Sequence, residues 1–224
     1  MASTTARKNT TKRAAPANST LILLVRHGQT PTTGRSLPGR APGLHLSPTG
    51  QTQAEQVAQR LTALPNIAAI YASPLERTHE TAAPIAKALK QKVKIEKGLL
   101  ECDFGDWTGA DLSKLYKLPE WSLVQRTPSV FRFPNGESFS EMQSRMTSTL
   151  DRLRNNHQGQ TIVCVSHADP IKVALAHALG THIDLFQRLV VSPCSVSAIG
   201  YSATGPIVLT INSIGGPLSE LRPS

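Results

Sequence analysis

The stretch Leu21-Ile22-Leu23-Leu24-Val25-Arg26-His27-Gly28-Gln29-Thr30 decides how the rest of the chain is read. Its first five residues are the longest run of large aliphatic side chains in the sequence. Five residues suit a strand covered on both faces. They fall far short of the roughly 20 that a bilayer-spanning helix needs, and of the about 7–15 of a signal-peptide core. Ile67–Tyr71 and Ile162–Val165 repeat the pattern, each bounded by turn or polar residues. Between these runs the period changes. Ala54, Val57, Ala58, Leu61 and Leu64 recur at three-to-four spacing, as do Phe139, Met142, Met146, Leu150 and Leu153, and both sets predict helices. Ser138 and Glu141 give the second helix a capping box at its start. Further helices are predicted over about 76–90 and 170–180, the latter with Pro170 in its first turn and Gly180 at its end. Ser195–Tyr201 and Ile207–Ile211, separated by Ala-Thr-Gly-Pro, predict a hairpin. Strands alternating with helices predict an α/β fold, a three-layer sandwich with a mainly parallel central sheet and an antiparallel edge near the C-terminus. Residues 103–137, with scattered prolines and the aromatics Trp107, Trp121, Phe131 and Phe133, break the rhythm and predict an insertion over one end of the sheet.

Ligands of open α/β sheets bind beyond the carboxyl ends of the strands. There the three runs are followed by Arg26-His27-Gly28, by Ser73-Pro74-Leu75-Glu76-Arg77 and by Ser166-His167-Ala168-Asp169. If the strands are neighbours, two histidines and two arginines meet on one rim. That set suits a phosphoryl group, because guanidinium forks match its oxygens and a neutral imidazole can attack phosphorus. Gly28 lets the backbone come close to a ligand. A lone histidine after a strand is an ordinary structural residue, and His79, His157, His177 and His182 are read that way, with His45 a weak candidate in a nearby loop. Arg77 opposes the helix dipole at the start of its helix, a local conflict that points to function.

Composition narrows the field. The chain has 224 residues and 39% hydrophobic side chains, which excludes disorder as its main state. Cys102, Cys164 and Cys194 are odd in number and far apart, so neither a disulfide framework nor a zinc site is expected. The net charge is +9, and Arg7, Lys8, Lys12 and Arg13 supply four of those charges with no acidic residue among residues 1–20. Residues 1–20 are expected to be a disordered basic tail without a specific nucleic-acid partner. The domain is expected over 21–215, with a short tail at 216–224. A cytoplasmic location is expected, with no membrane partner; the sequence says nothing of oligomeric state.

Six segments in order over about residues 21–211 resemble the histidine phosphatase superfamily, also called the phosphoglycerate mutase-like family. They are Leu23–Thr30, Leu46-Ser47-Pro48-Thr49-Gly50-Gln51-Thr52-Gln53-Ala54, Tyr71–Thr78, Glu101-Cys102-Asp103-Phe104-Gly105-Asp106-Trp107-Thr108-Gly109, Asn135-Gly136-Glu137-Ser138 and Val165-Ser166-His167. The resemblance implies that His27 is the nucleophile that becomes phosphorylated. It places Arg26, Arg77 and a protonated His167 around the phosphate, with Glu101 as the general acid. Asp103 and Asp169 are rival acids. Thr33 stands where the family has a phosphate-contacting asparagine, and the roles of Arg35 and Arg40 are open. Two arginines and a charged histidine can supply the neutralisation that phosphoryl transfer needs, so no metal or other cofactor is expected.

The Cys102–Trp107 segment is more similar to the α-ribazole and broad-specificity phosphatases than to the mutases. The expected activity is therefore metal-independent hydrolysis of a small phosphorylated metabolite through phosphohistidine. A phosphoglycerate mutase and a non-catalytic phosphate-binding module are the alternatives.

Overall fold

The structure, a computed structural model, describes residues 19–216 and 218. The three apolar runs become β1 (Thr20–Arg26), β2 (Ile67–Ala72) and β4 (Thr161–Ser166). With β3 (Val93–Ile95), β5 (Val196–Ser202) and β6 (Gly205–Ser213) they form one six-stranded sheet in the order β3-β2-β4-β1-β5-β6. The first four are parallel, while β5 runs antiparallel to both β1 and β6.

Both faces of the sheet are covered, as continuous apolar strands require. Leu21, Leu23 and Val25 of β1 and Val163 and Val165 of β4 share one core with α1 (Pro48–Leu61) and α2 (Glu76–Leu89). The alternate residues Ile22, Leu24, Ile162 and Cys164 face a second core with α5 (Phe139–Asn156) and α6 (Ala168–Ala178). The result is the expected three-layer α/β sandwich, and the Ser138–Glu141 capping box starts α5. No helix among the described residues is long and apolar enough to cross a membrane.

Residues 103–137 carry only short helices, including α3 (Leu112–Leu115) and α4 (Trp121–Arg126). Phe131 and Phe133 stack edge-on at 5.0 Å, and Trp107 lies 5.4 Å from Phe131. These rings extend the second core, so the scattered aromatics of the expected insertion form a packed cover. At the boundaries, the expected N-terminal tail lies outside the described residues except for Ser19 and Thr20, and Thr20 already opens β1. Leu218, assigned above to the C-terminal tail, is buried against the first core.

Candidate active site

The strand order brings β2, β4 and β1 together, with Arg26 level with Ser166 and Ala72 level with Val165. The ladder continues one step past the strands: His27 N–H donates to the Ser166 carbonyl and Ser73 N–H to the Val165 carbonyl, each at 3.0 Å. His27, Ser73 and His167 are thereby set side by side, and the two imidazole centroids lie 5.2 Å apart. Arg26, Arg77, His27 and His167, named from three separate strand ends, meet in one place.

The partner of His27 fixes its proton, and the partner of His167 sets two alternatives. His27 Nδ1 is 2.8 Å from the Gly28 carbonyl, which can only accept, so Nδ1 carries the hydrogen and Nε2 keeps a free lone pair. His167 Nε2 is 2.9 Å from Ser73 Oγ. With the serine hydroxyl as donor, the neutral His167 ring holds its proton on Nδ1, an atom without a partner among the described residues. Burial, followed by the charges of Arg26 and Arg77, pushes His27 well below the ordinary histidine value. Burial, then Arg77 and His27, does the same to His167. The sequence reading places a charged His167 around a bound phosphate; with no anion present, desolvation beside two guanidinium groups favours a neutral ring.

Arg77 is 0% exposed and donates once, from Nη2 to the Gly39 carbonyl at 2.8 Å. Its Nε and Nη1, and Nε of Arg26, are buried without partners among the described residues. Arg26 Nη1 is tied to the Val191 carbonyl at 2.7 Å. Buried cationic donors are costly to leave unmet, so this cluster is built for an anion.

Glu101 is buried, and its Oε1 accepts the Cys102 amide at 2.9 Å. Burial and the negative charge of Asp169 push its carboxyl up to about 7, against the pull of Arg77 and Arg26. The rival Asp103 is half-exposed, faces Arg40 at 3.4 Å and accepts the Gly105 amide at 3.1 Å. Asp169 lies 3.5 Å from Lys172. Thr33 Oγ1 accepts the Thr30 amide at 2.9 Å and pairs with Thr30 Oγ1 at 3.0 Å, so it is free to donate to a phosphate only when the Thr30 hydroxyl is the donor of that pair. His45 is exposed and paired with Glu80. Among the described residues, no cluster of three or more His, Cys, Asp or Glu side chains is placed to hold a metal ion. A surface hollow of about 610 Å³ between α1 and α2, lined by Glu55, Gln59 and Lys87, contains none of these groups.

Gly28 also meets a steric demand that the sequence reading did not name. A Cβ there would lie 2.6 Å from the Gly50 carbonyl oxygen, so the first turn of α1 demands the glycine. Sequence reasoning also missed Ser73, although it stands in the same segment as Arg77. It left Arg40 open and passed over Arg145, which both donate to backbone carbonyls far from their own positions, and over Glu137, whose carboxylate accepts from both.

Residues 22–214 match the family model described as Histidine phosphatase superfamily (branch 1). Phosphoserine phosphatase 1 of Hydrogenobacter thermophilus is 32% identical over 196 residues, covering 85% of this chain and 91% of that protein. The bifunctional protein Rv2228c of Mycobacterium tuberculosis is 34% identical over 198 residues, covering 85% of this chain and 53% of that protein. The chain thus spans about half the length of the first curated relatives it matches. A phosphoserine phosphatase from Entamoeba histolytica, solved as a mutant in complex with phosphoserine, superposes with a TM-score of 0.79 at 26% identity, covering 87% of this chain and 98% of that one.

Proposed function

The chain belongs to the histidine phosphatase superfamily, and from that premise we propose that it hydrolyses small phosphomonoesters through a phosphohistidine intermediate. One observation carries the reading. Buried, unpartnered nitrogens of Arg26, Arg77 and His167 lie in one cluster with His27, whose Nδ1 faces the Gly28 carbonyl, and a protonatable carboxyl feels the same charges.

In the first step the His27 Nε2 lone pair attacks phosphorus and the P–O ester bond breaks. The leaving oxygen takes the proton of Glu101. In the second step Glu101, now a carboxylate, accepts a proton from water, whose oxygen attacks phosphorus and breaks the P–N bond. Inorganic phosphate leaves, and His27 and Glu101 return to their starting states. Arg26 and Arg77 meet the equatorial oxygens, and neutral His167 adds its Nδ1–H. The arginines supply the neutralisation, and the reaction needs no metal. Phosphoserine is the first compound to test, because a 32% identical relative carries that name.

The test is phosphate release from phosphoserine and a panel of other phosphomonoesters in EDTA, with alkaline-quench detection of the phosphoenzyme followed by its loss in acid. Wild type is expected to turn over in EDTA and to carry one acid-labile phosphoryl group, and His27→Ala to lose both properties. Full activity in His27→Ala, or loss of activity on chelation, overturns the mechanism.

A further inference from the structure

Glu101 lies on an irregular segment following a single 3-10 turn, Lys97–Leu99, with no strand or long helix to aim it. Its main chain is nevertheless gripped from two distant parts of the protein. Arg145, in the second turn of α5, donates from Nη1 to the carbonyls of Gly98 at 2.8 Å and Leu100 at 2.9 Å. Its Nη2 donates to the Glu101 carbonyl at 3.4 Å. Arg40, from the loop after β1, donates from Nε to that same Glu101 carbonyl at 2.8 Å. Glu137 ties the two arginines together: Oε2 accepts Arg40 Nη2 at 3.0 Å and Arg145 Nη2 at 2.9 Å, while Oε1 accepts Arg145 Nε at 2.8 Å.

We propose that Arg40, Arg145 and Glu137 are positioning residues, which hold the backbone of Glu101 so that its carboxyl meets the leaving oxygen. The inference rests on the reading of Glu101 as the proton donor. A cross-link that serves stability alone would not need to converge on residues 98, 100 and 101. All three nitrogens of the Arg145 guanidinium are committed, which fixes the segment in a planar, directional grip. Displacing a catalytic group by about 1 Å costs on the order of 10²-fold in rate. The charges also balance. Asp103 faces Arg40 at 3.4 Å, so two guanidinium groups meet two carboxylates. The grip therefore adds no net charge beside Glu101, whose other charged neighbours are Arg26, Arg77 on α2 and Asp169 on α6.

The leaving group separates positioning from stability. p-Nitrophenolate departs without a proton, whereas an alkoxide needs one, and kcat/KM reports only the steps up to phosphorylation of His27. The experiment compares kcat/KM for p-nitrophenyl phosphate with kcat/KM for whichever of phosphoserine, glycerol 2-phosphate or 3-phosphoglycerate the wild type cleaves fastest. Glu137→Gln and Arg145→Gln are expected to lower the alkyl-to-aryl ratio about tenfold, and Arg145→Lys to restore part of it. Glu137→Gln leaves two arginines under-compensated, so its alkyl rate also begins to fall at a lower pH than wild type. Thermal unfolding checks each variant. If Arg145→Gln does not fold, the isosteric Glu137→Gln decides. A folded Glu137→Gln with an unchanged ratio overturns the inference, whether both rates fall equally or neither falls. A Glu101→Gln protein with an unchanged ratio is a separate result and overturns the acid assignment itself.

Discussion

At the scale of single residues the site is a contest between burial and charge. Burial keeps His27 neutral, which a nucleophile requires, and the same burial holds the proton on Glu101, which an acid requires. The two conditions overlap below about pH 7, where Glu101 titrates. For an alkyl ester, kcat/KM is expected to fall as pH rises through about 7, after correction for the substrate's own second ionisation, and Glu101→Gln is expected to lack that limb. Stability follows with a defined sign. The unfolded carboxyl ionises near its ordinary 4.5 and the folded one near 7, so stability is lost between those values and stays lost above them. At about 1.4 kcal/mol per unit the loss is at most about 3.5 kcal/mol. Glu101→Gln is therefore expected to unfold at a higher temperature than wild type at pH 8, with an advantage that shrinks toward pH 5. A pH-independent difference would show that the buried carboxyl is not held protonated.

At the scale of elements, the β1–α1 junction shows what a helix start can demand. A Cβ on Gly50, in the first turn of α1, would lie 2.0 Å from the Gln29 carbonyl oxygen. Ala for Gly inside a helix ordinarily gains about 0.5–1 kcal/mol; overpacking against backbone costs about 1–3 kcal/mol. The overlap wins. Gly50→Ala is expected to lower stability by about 1–2 kcal/mol by urea unfolding, and to reduce kcat/KM by shifting the Gly28 carbonyl that orients His27. The exposed neighbour Gln51→Ala serves as the control. The elements most legible in the sequence were those whose own residues dictate them. β1, β2 and β4 read as unbroken apolar runs because helices cover both sides, and α5 announces itself by Ser138 and Glu141. β3 was not legible: it is three residues long, sits at the sheet edge and is flanked and interrupted by Lys92 and Lys94, which suits an edge that must not pair further.

At the scale of the whole molecule, legibility divides by the distance over which a residue acts. Arg26, His27, Arg77 and His167 could be named because each follows a strand whose end the fold must place at the ligand rim. Arg40 and Glu137 are 97 positions apart and meet only because the cover and α5 close on the loop after β1. No local pattern encodes that meeting. The buried guanidinium of Arg77 has two unmet nitrogens at the ligand rim, an arrangement that weakens the empty fold. A bound anion removes that deficit, and linkage sets the size of the effect: at 100 times its Kd, inorganic phosphate adds about 2.7 kcal/mol. For a domain of this length that is about 5–10 °C in Tm. Arg77→Met keeps the volume and deletes the charge, so its Tm in phosphate-free buffer is expected to equal or exceed that of wild type, while the upward shift with phosphate is lost. Thermal melts across a phosphate titration measure both. A variant that melts earlier in phosphate-free buffer yet still gains the full shift would place Arg77 in the service of the fold rather than of the anion.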